Sequence, residues 1–403
     1  MRKRWCFWLV MLAMLGLMPP RSAAAAAQID VYTMGPGDEL FSRFGHAAIC
    51  VTDEESPVGR CYNYGTADFS TPGPLTWGVL RGHGQFWVSV VSQPRMMAIY
   101  HFEDRTVYRQ GLPLSPSQTA ALVSALHKAD RPEQTLYNYR HFDDNCTTRI
   151  RDLIDEVTGG LLRRPNQIAD QPPLRSRVVD GFATSPVLLA LQQAVLGRRV
   201  DAPITGWDSM FLPEVLRAEL HSHLHAPPEV VYSRAAPLPP PSTVSPLVLW
   251  LGAGLGLLLL AQLGGRPGQV VSLGALTLLA MVPWSLLLLA KLPELRINEA
   301  LLVLWPTDWL LLVPKAQRIY GRIRLGGLLL VMLGKLLGVL VQPLWGLCGL
   351  VALPPVPAVP GGKAGQHDRQ RPGDEVAVLL PERLELVELF LFFEIEMRGH
   401  GGA

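Results

Sequence analysis

The chain has 403 residues, enough for two ordinary domains, with 49% hydrophobic and 17% charged residues and a mean hydropathy of +0.21. The net charge of +2, with basic residues scattered along the chain, argues against a nucleic-acid partner. Charged and aromatic residues concentrate in the N-terminal part, whereas leucine and glycine dominate residues 246–350. The sequence therefore predicts an N-terminal folded domain and a C-terminal membrane region.

The N-terminus predicts a signal peptide over residues 1–27. Basic residues at positions 2–4 precede an apolar core at 5–18, which is short for a membrane-spanning helix. Small residues at 23–27 offer cleavage sites, and an uncleaved anchor is the alternative. In either case the following segment is translocated. We therefore expect a multi-pass protein of the cell membrane whose N-terminal domain lies on the extracytoplasmic (periplasmic) side.

Residues 28–160 predict a compact α+β domain. Short alternating or apolar runs indicate strands, and two amphipathic runs indicate helices. The predicted strands cover residues 29–32, 44–51, 62–69, 85–91 and 106–111, and the predicted helices cover 115–129 and 145–157. Ser115 is the expected N-cap of the first helix.

The rest of the chain divides by composition. Residues 161–235 predict a helical extension, 236–245 a proline-rich linker, 246–350 a bundle of about four transmembrane α-helices, and 351–403 a tail of unknown role. The four apolar stretches cover 246–263, 270–290, 300–313 and 325–344. The third stretch is short and is interrupted by Pro306 and Asp308. We still expect it to span, because the basic residues between 315 and 324 would then lie in the cytoplasm.

The cysteines differ in their surroundings. Cys6 lies in the signal and Cys348 lies in or beside a membrane helix, which leaves three cysteines in an oxidising compartment. Cys50 ends one predicted strand and Cys61 begins the next, with a turn-rich stretch between them. A Cys50–Cys61 disulfide is therefore a plausible pairing. Cys146 is then odd, which suggests a free reactive thiol.

Cys146 opens the second predicted helix directly after Asn145. Backbone N–H groups and the helix dipole stabilise a thiolate at such a position. A small buried cysteine on a helix face is the alternative. His46 lies early in a predicted strand, where a histidine more often only packs. A strand histidine facing a cysteine at a helix N-terminus, however, is the arrangement of papain-like thiol enzymes, in which the histidine takes and returns a proton.

A third polar group usually orients the catalytic histidine. Asn63 and Tyr64, on the neighbouring predicted strand, are candidates, and Asp68 is a weaker one. Asn145 is a further candidate for orienting the site or binding an oxyanion. His141 could reach the site, but we expect it to contact the loop. The histidine spacing indicates no metal site and the sequence shows no glycine-rich phosphate loop, so we expect neither a metal nor a cofactor.

Three segments, FGHAAICV (44–51), YNYGTADF (62–69) and DNCTTRIRD (144–152), followed by apolar helices, resemble the Lnb-type lipoprotein intramolecular transacylases. The resemblance covers about residues 28–216. It implies a permuted NlpC/papain-like domain in which Cys146 forms a thioester and His46 is the base. The implied reaction moves one O-linked acyl chain of a diacylglyceryl lipoprotein to its N-terminal cysteine amine. The implied partners are lipid-modified lipoproteins and membrane lipid.

This chain departs from the family pattern in Cys50 and Cys61, in the acidic residues before Cys146, and in the tail. Two other functions stay open. One is a cell-wall cysteine peptidase or amidase with the same two residues, although a peptidoglycan substrate needs no four-helix anchor. The other is a non-catalytic membrane-anchored binding module, against which the histidine and cysteine segments argue.

Overall fold

The computed structural model describes residues 27–39 and 42–352. The predicted signal peptide, apart from its last residue, lies outside the described residues, and so does the chain from residue 353 onward. The described residues comprise nearly all of the predicted domain, and the extension, the linker and the membrane region.

The strands of the described residues are β1 (Gln28–Met34), β2 (His46–Thr52), β3 (Arg60–Thr66), β4 (Gln85–Ser92), β5 (Val107–Gly111), β6 (Leu136–Asn138) and β7 (Glu229–Tyr232). They form a seven-stranded sheet in the order β6-β4-β3-β2-β1-β5-β7, with antiparallel neighbours throughout. The strands predicted in the N-terminal domain are confirmed as β1 to β5, with small shifts at their ends. β6 and β7 are too short to give an alternating sequence pattern.

The pairing of β2 with β3 places Cys50 directly opposite Cys61, and the two residues form a disulfide. The pair expected from the sequence is thus the pair that the structure joins. Side chains alternate between the two faces of the sheet. One face buries Val31 and Ile49, and the other buries Met34 together with the disulfide.

The helices of the described residues are α1 (Pro72–Leu80), α2 (Gln93–Phe102), α3 (Pro116–Ala129), α4 (Cys146–Thr158), α5 (Leu174–Gly181), α6 (Pro186–Val195), α7 (Gly206–Ser209), α8 (Pro213–Leu224), α9 (Pro246–Leu263), α10 (Gly265–Leu289), α11 (Pro314–Leu336) and α12 (Trp345–Ala352). Short 3-10 segments lie at Arg198–Asp201, Pro293–Leu295, Glu299–Leu302 and Asp308–Leu312. The two helices predicted in the N-terminal domain are α3 and α4. Ser115 caps α3 as predicted, because its hydroxyl accepts from the N–H of Gln118.

Helices α3, α4 and α8 cover one face of the sheet with their apolar sides. They contribute the buried residues Leu122, Leu126, Ile150, Ile154, Leu216 and Leu220. α2 covers the other face with Met96 and Tyr100. α8 and β7 come from the predicted helical extension, so this region is part of the sheet domain's core. The expectation that it is helical throughout is corrected by β7.

Helices α9 and α10 are the two described helices that are long and apolar enough to cross a membrane. They form an antiparallel hairpin that turns at Gly264 and Gly265. The Ser272 hydroxyl donates to the Leu257 carbonyl across the hairpin at 2.9 Å. Gly268 lies so close to the same helix that a Cβ there would come within 2.0 Å of a carbonyl oxygen. The first two predicted spans are therefore helices of sufficient length.

The prediction of a spanning helix at 300–313 is wrong. The segment forms two short 3-10 turns on either side of Pro306, which cannot donate a backbone hydrogen bond. Asp308 turns inward and pairs with Arg324 at 2.8 Å. Both side chains are buried, so the charge of Arg324 is matched inside the protein.

The basic residues expected in a loop before the fourth span lie instead in the first half of α11. α11 ends at Leu336, earlier than the predicted stretch 325–344. It carries too many charged residues to be an apolar helix of the kind that crosses a membrane. The described residues thus contain two candidate spans where the sequence predicts about four.

The segment after α10 packs against the sheet domain. The Lys291 N–H donates to the Leu80 carbonyl at the end of α1 at 2.8 Å. The Gly197 N–H, after α6, donates to the Glu294 carbonyl at 2.7 Å. The Asn298 side chain also donates to a carbonyl at the end of α6. The first bond fixes the C-terminal end of α10 beside α1, and the other two join the following segment to the end of α6.

Candidate active site

Cys146 is the first residue of α4 and is buried. Asn145 caps the helix, because its Oδ1 accepts from the N–H groups of Thr147 and Thr148, both at 2.9 Å. The Thr148 hydroxyl accepts in turn from the Asn145 N–H at 2.8 Å, which completes a capping box. The cap holds the positive end of the helix dipole at the thiol.

The amide nitrogen of Asn145 is also fully used. It donates to the carbonyls of His141 and Phe211, each at 2.9 Å. Asn145 therefore ties α4 to the preceding loop and to the chain before α8. The expectation that its side chain binds an oxyanion is corrected, because neither amide N–H is left to donate. The Cys146 N–H, a first-turn amide with no acceptor inside the helix, is the available donor.

His46 reaches the thiol from the first position of β2. Its side chain forms a hydrogen bond with Cys146, and the Ala47 N–H donates to the same sulfur. Gly45, with φ at +78°, allows the chain to turn into β2; a Cβ there would lie 2.7 Å from the Met34 carbonyl oxygen. The two residues that the sequence paired are thus brought together.

Opposing influences set the pKa of the Cys146 thiol. Burial raises it, because a buried thiolate loses its hydration. The charge and hydrogen bond of His46, the Ala47 N–H and the Thr147 hydroxyl favour the thiolate. Together they lower the pKa from 9.0 to about 7. A substantial fraction of the thiol is therefore ionised at neutral pH.

The acidic residues before Cys146 are paired with arginines. Asp144 accepts two hydrogen bonds from Arg149, at 2.7 and 3.0 Å. Asp143 lies 3.9 Å from Arg140. These pairs offset the negative charge that the sequence places beside the nucleophile.

The two candidates for a third polar group differ in position. Tyr64 belongs to the core cluster that contains Cys146, and burial raises the pKa of its hydroxyl to about 12. Asn63 lines the same cavity as His46, and its amide donates to the Cys61 carbonyl at 3.2 Å. Asn63 is therefore the candidate that shares a surface with the imidazole.

Gly65, which follows Tyr64, lies next to Cys146. Its φ is +88°, and it sits where the pairing of β3 with β4 becomes irregular. A Cβ at this position would lie 3.7 Å from the Cys146 Cβ, so a longer side chain would extend against the cysteine. The glycine keeps the approach to the sulfur open.

His141 is the site residue that the sequence interpretation underestimates. It lines the same cavity as Cys146. The rings of Phe44, Phe142 and Phe211 surround it, with centroids at 4.6, 5.0 and 5.7 Å. Burial lowers the pKa of His141 to about 4, so the ring is neutral at physiological pH.

The two ring nitrogens of His141 have different surroundings. Nδ1 lies 3.3 Å from the hydroxyl of Tyr139. Nε2 is buried and has no hydrogen-bond partner within the described residues. When the Tyr139 hydroxyl donates to Nδ1, the ring proton is on Nε2. The available sequence signal was an aromatic-rich loop with a histidine five residues before the cysteine.

Two cavities meet beside Cys146 and His46, and both are lined by His46 and Gly65. The smaller cavity, of 70 Å³, is mainly aromatic and contains Cys146 and His141. The larger, of 830 Å³, lies beside His46 and extends along α2 to Leu75 of α1. The site can therefore receive substrate groups from two directions.

The predicted extension completes the site. Phe211 and Pro213, at the start of α8, line the smaller cavity. The polar side chains that line the smaller cavity are the Cys146 thiol, the imidazoles of His46 and His141, the hydroxyls of Tyr139 and Thr147, and the Asn145 amide. Over residues 27–39 and 42–352, no group of three or more His, Cys, Asp and Glu residues is placed to hold a metal ion.

Comparison with known proteins bears on the sheet domain. Residues 21–177 match the family model of the Lnb N-terminal periplasmic domain. This range contains His46, Cys146 and the disulfide, so the resemblance inferred from the three sequence segments is confirmed there. No curated protein and no solved structure matches the chain.

Proposed function

We propose, from the match of residues 21–177 to the family model of the Lnb N-terminal periplasmic domain, that the protein is a membrane-anchored thiol acyltransferase that modifies lipoproteins. It moves an O-linked acyl chain of a diacylglyceryl lipoprotein to the amine of the lipoprotein's N-terminal cysteine. The observation that carries the proposal is the Cys146 thiol, which lies at the N-terminus of a capped helix, is hydrogen-bonded to His46 and lines the smaller of the two cavities.

In the first step, the Cys146 thiolate attacks the carbonyl carbon of the acyl ester. The carbon–oxygen bond to the glycerol breaks, and protonated His46 gives its proton to the leaving alkoxide. The products are a Cys146 thioester and a free hydroxyl on the lipoprotein. The pKa of about 7 supports this step, because the nucleophile needs no separate base at neutral pH.

The developing oxyanion requires hydrogen-bond donors. The Cys146 N–H is one donor. The second is His141 Nε2–H, since this buried atom is otherwise without a partner among the described residues and its ring lines the cavity of the thiol. A neutral imidazole suits this role, because it stays a donor without competing for the thiol proton.

In the second step, the lipoprotein's α-amino nitrogen attacks the thioester carbonyl. Neutral His46 takes the proton that the nitrogen loses, and the carbon–sulfur bond breaks. The amide forms and the thiolate and protonated His46 are restored. The net reaction is an isomerisation of the substrate, which needs no other reactant.

The C-terminal helices support a lipid substrate. The hairpin of α9 and α10 is apolar enough for a bilayer, and its end is fixed beside α1 of the sheet domain. A site attached in this way stays near the depth of an ester in the outer leaflet. Such positioning lowers the entropic cost of bringing the two reactants together.

Mass spectrometry of a reporter lipoprotein tests the proposal. Cells would carry the wild-type protein, Cys146→Ala, or Cys348→Ala as a matched control, since Cys348 is also a buried free cysteine. We expect N-acylated lyso-lipoprotein with the wild type and Cys348→Ala, and unmodified diacyl lipoprotein with Cys146→Ala. The same lipoprotein mass in all three strains would refute acyl transfer.

A second measurement separates the proposal from the peptidase and amidase alternatives. Wild-type protein in proteoliposomes would be incubated with a diacylglyceryl lipopeptide and, separately, with peptidoglycan fragments. Cys146-dependent release of peptide fragments, with the lipopeptide unchanged, would favour a hydrolase that uses water in place of the amine.

A further inference from the structure

An apolar groove of 310 Å³ lies between α1 and the C-terminal end of α10. Trp77 and Leu80 form one wall. Met281, Leu286 and further residues of α10 form the other, and Ser285 supplies the polar atom on that helix. The groove is separate from the two cavities at His46 and Gly65, because it shares no lining residue with either of them.

The groove's position argues for a lipid occupant. One wall belongs to the end of a helix that can cross a membrane, and this end is fixed to the sheet domain. Trp77 is 51% exposed although it is large and apolar. A tryptophan at the end of such a helix is typical of the membrane interface.

Positive charge lies at the end of the groove. The Arg81 guanidinium donates to the Leu289 carbonyl at 3.1 Å and lies 5.9 Å from the centre of the Trp77 ring. Lys291 follows α10 on the same side and is exposed. An apolar channel with two cations at its end fits a hydrocarbon chain whose polar end lies at the bilayer surface.

The groove is joined to the catalytic region through α1. Leu75 of this helix lines the larger cavity beside His46, and Trp77, two residues later, lines the groove. A substrate with two acyl chains needs a place for the chain that is not being cleaved, or for the distal part of the chain that is. α1 lines both spaces, with Leu75 in the larger cavity and Trp77 in the groove.

We propose that this groove holds an acyl chain of the diacylglyceryl lipoprotein during transfer. The inference rests on the proposed acyl-transfer function and adds a chain-binding site to it. A peptide occupant fits less well, since the side chains of the walls offer only the Ser285 hydroxyl and the Trp77 indole N–H to pair with peptide groups. The groove makes the enzyme prefer substrates with longer acyl chains, because each methylene buried in it adds to substrate binding.

The test compares lipopeptides with tetradecanoyl and octadecanoyl chains in proteoliposomes. Ser285→Phe fills the groove, and Leu278→Phe places the same ring on a 72% exposed position of α10 that does not line it. We expect Ser285→Phe to lower transfer from the longer lipopeptide about tenfold relative to the shorter one. Leu278→Phe should keep the wild-type ratio.

Thermal unfolding in detergent reports whether each variant is folded. If Ser285→Phe is not, Trp77→Ala widens the groove from the other wall and should shift the ratio toward the longer chain. An unchanged ratio in folded variants would overturn the proposal. If a photoreactive phospholipid labelled the groove while the ratio stayed unchanged, the occupant would be a structural lipid of the bilayer. Absence of transfer from either lipopeptide by the wild type would instead contradict the proposed function.

Discussion

The sheet domain and the C-terminal helical region each bury a free cysteine, but in different surroundings. Cys146 begins a capped helix and contacts His46, which lowers its pKa to about 7. Cys348 lies within α12, in a cluster of leucines, valines and tryptophans. Burial alone therefore does not favour the thiolate form of a cysteine. A helix N-terminus and a histidine do, and the sheet domain has both beside Cys146.

The two regions also use buried charge differently. Before Cys146, arginines pair with the carboxylates of Asp143 and Asp144, which offsets negative charge near the thiol. In the helical region, the pair of Asp308 with Arg324 holds an irregular segment against α11. We interpret the ion pairs near Cys146 as part of the chemistry of the site, and the pair of Asp308 with Arg324 as fixing the shape of the helical region. The predictions below test this division.

The largest effect is expected from removing the histidine. His46→Gln leaves burial as the main influence on the thiol and raises the Cys146 pKa from about 7 toward or beyond 9.0. Since thiolate forms as pH rises through the pKa, the variant holds less thiolate at pH 7. Alkylation of the Cys146 peptide at pH 7 should fall about 100-fold, and acyl transfer about 1,000-fold.

The measurement uses a Cys348→Ala background, so that Cys146 is the thiol followed by mass spectrometry. His221→Gln, on the exposed side of α8, is the control and should leave the alkylation profile unchanged. An unaltered midpoint in His46→Gln would mean that the imidazole does not stabilise the thiolate.

The second effect separates the two imidazoles. His141→Leu removes the proposed oxyanion donor and should lower acyl transfer about 100-fold. It should leave the alkylation midpoint unchanged, because a neutral ring contributes no charge to the thiolate. His141→Gln keeps a side-chain N–H and should recover part of the rate. Equal loss with Leu and Gln would assign His141 a packing role.

Local sequence patterns predict most of the sheet domain. The alternating runs that become β1 to β5 and the caps at Ser115 and Asn145 are encoded within a few residues. The pairing of His46 with Cys146 follows from recognising two separate segments, 100 positions apart in the chain. α1 escapes prediction, because its prolines and glycines indicate a loop more than a helix.

The parts that sequence cannot predict depend on tertiary contacts. The role of Asn145 is decided by the Phe211 carbonyl, which comes from a distant segment. The unpartnered Nε2 of His141 depends on the rings that close around it. In the helical region, hydropathy suggests a third span, but the buried pair of Asp308 and Arg324 shows that the charges are satisfied internally. A hydropathy average scores each charged residue alone and takes no account of the partner that it pairs with in the fold.

A smaller effect compares two helix caps. Ser115→Ala removes a capping box and should lower the free energy of unfolding by about 1 kcal/mol. Asn145→Ala also removes the hydrogen bonds to the His141 and Phe211 carbonyls and should cost more, about 2–4 kcal/mol. Only Asn145→Ala should also slow acyl transfer, by about tenfold, because it frees α4 from its neighbours and weakens the field at the thiol. Thermal unfolding in detergent and lipopeptide assays measure both quantities. Equal acyl-transfer rates in the two variants would mean that the Asn145 cap does not contribute to catalysis.

The smallest effect on the chemistry is expected in the helical region. Asp308→Asn leaves the Arg324 guanidinium buried without its counter-charge, at a cost of about 3–5 kcal/mol in stability. The double variant Asp308→Asn, Arg324→Gln removes both charges and should regain part of that loss. In both variants the alkylation midpoint of Cys146 should stay at the wild-type value, since neither residue is among the groups that set its pKa. A shifted midpoint would show that the helical region acts on the thiol itself, and the division between chemistry and shape would fail.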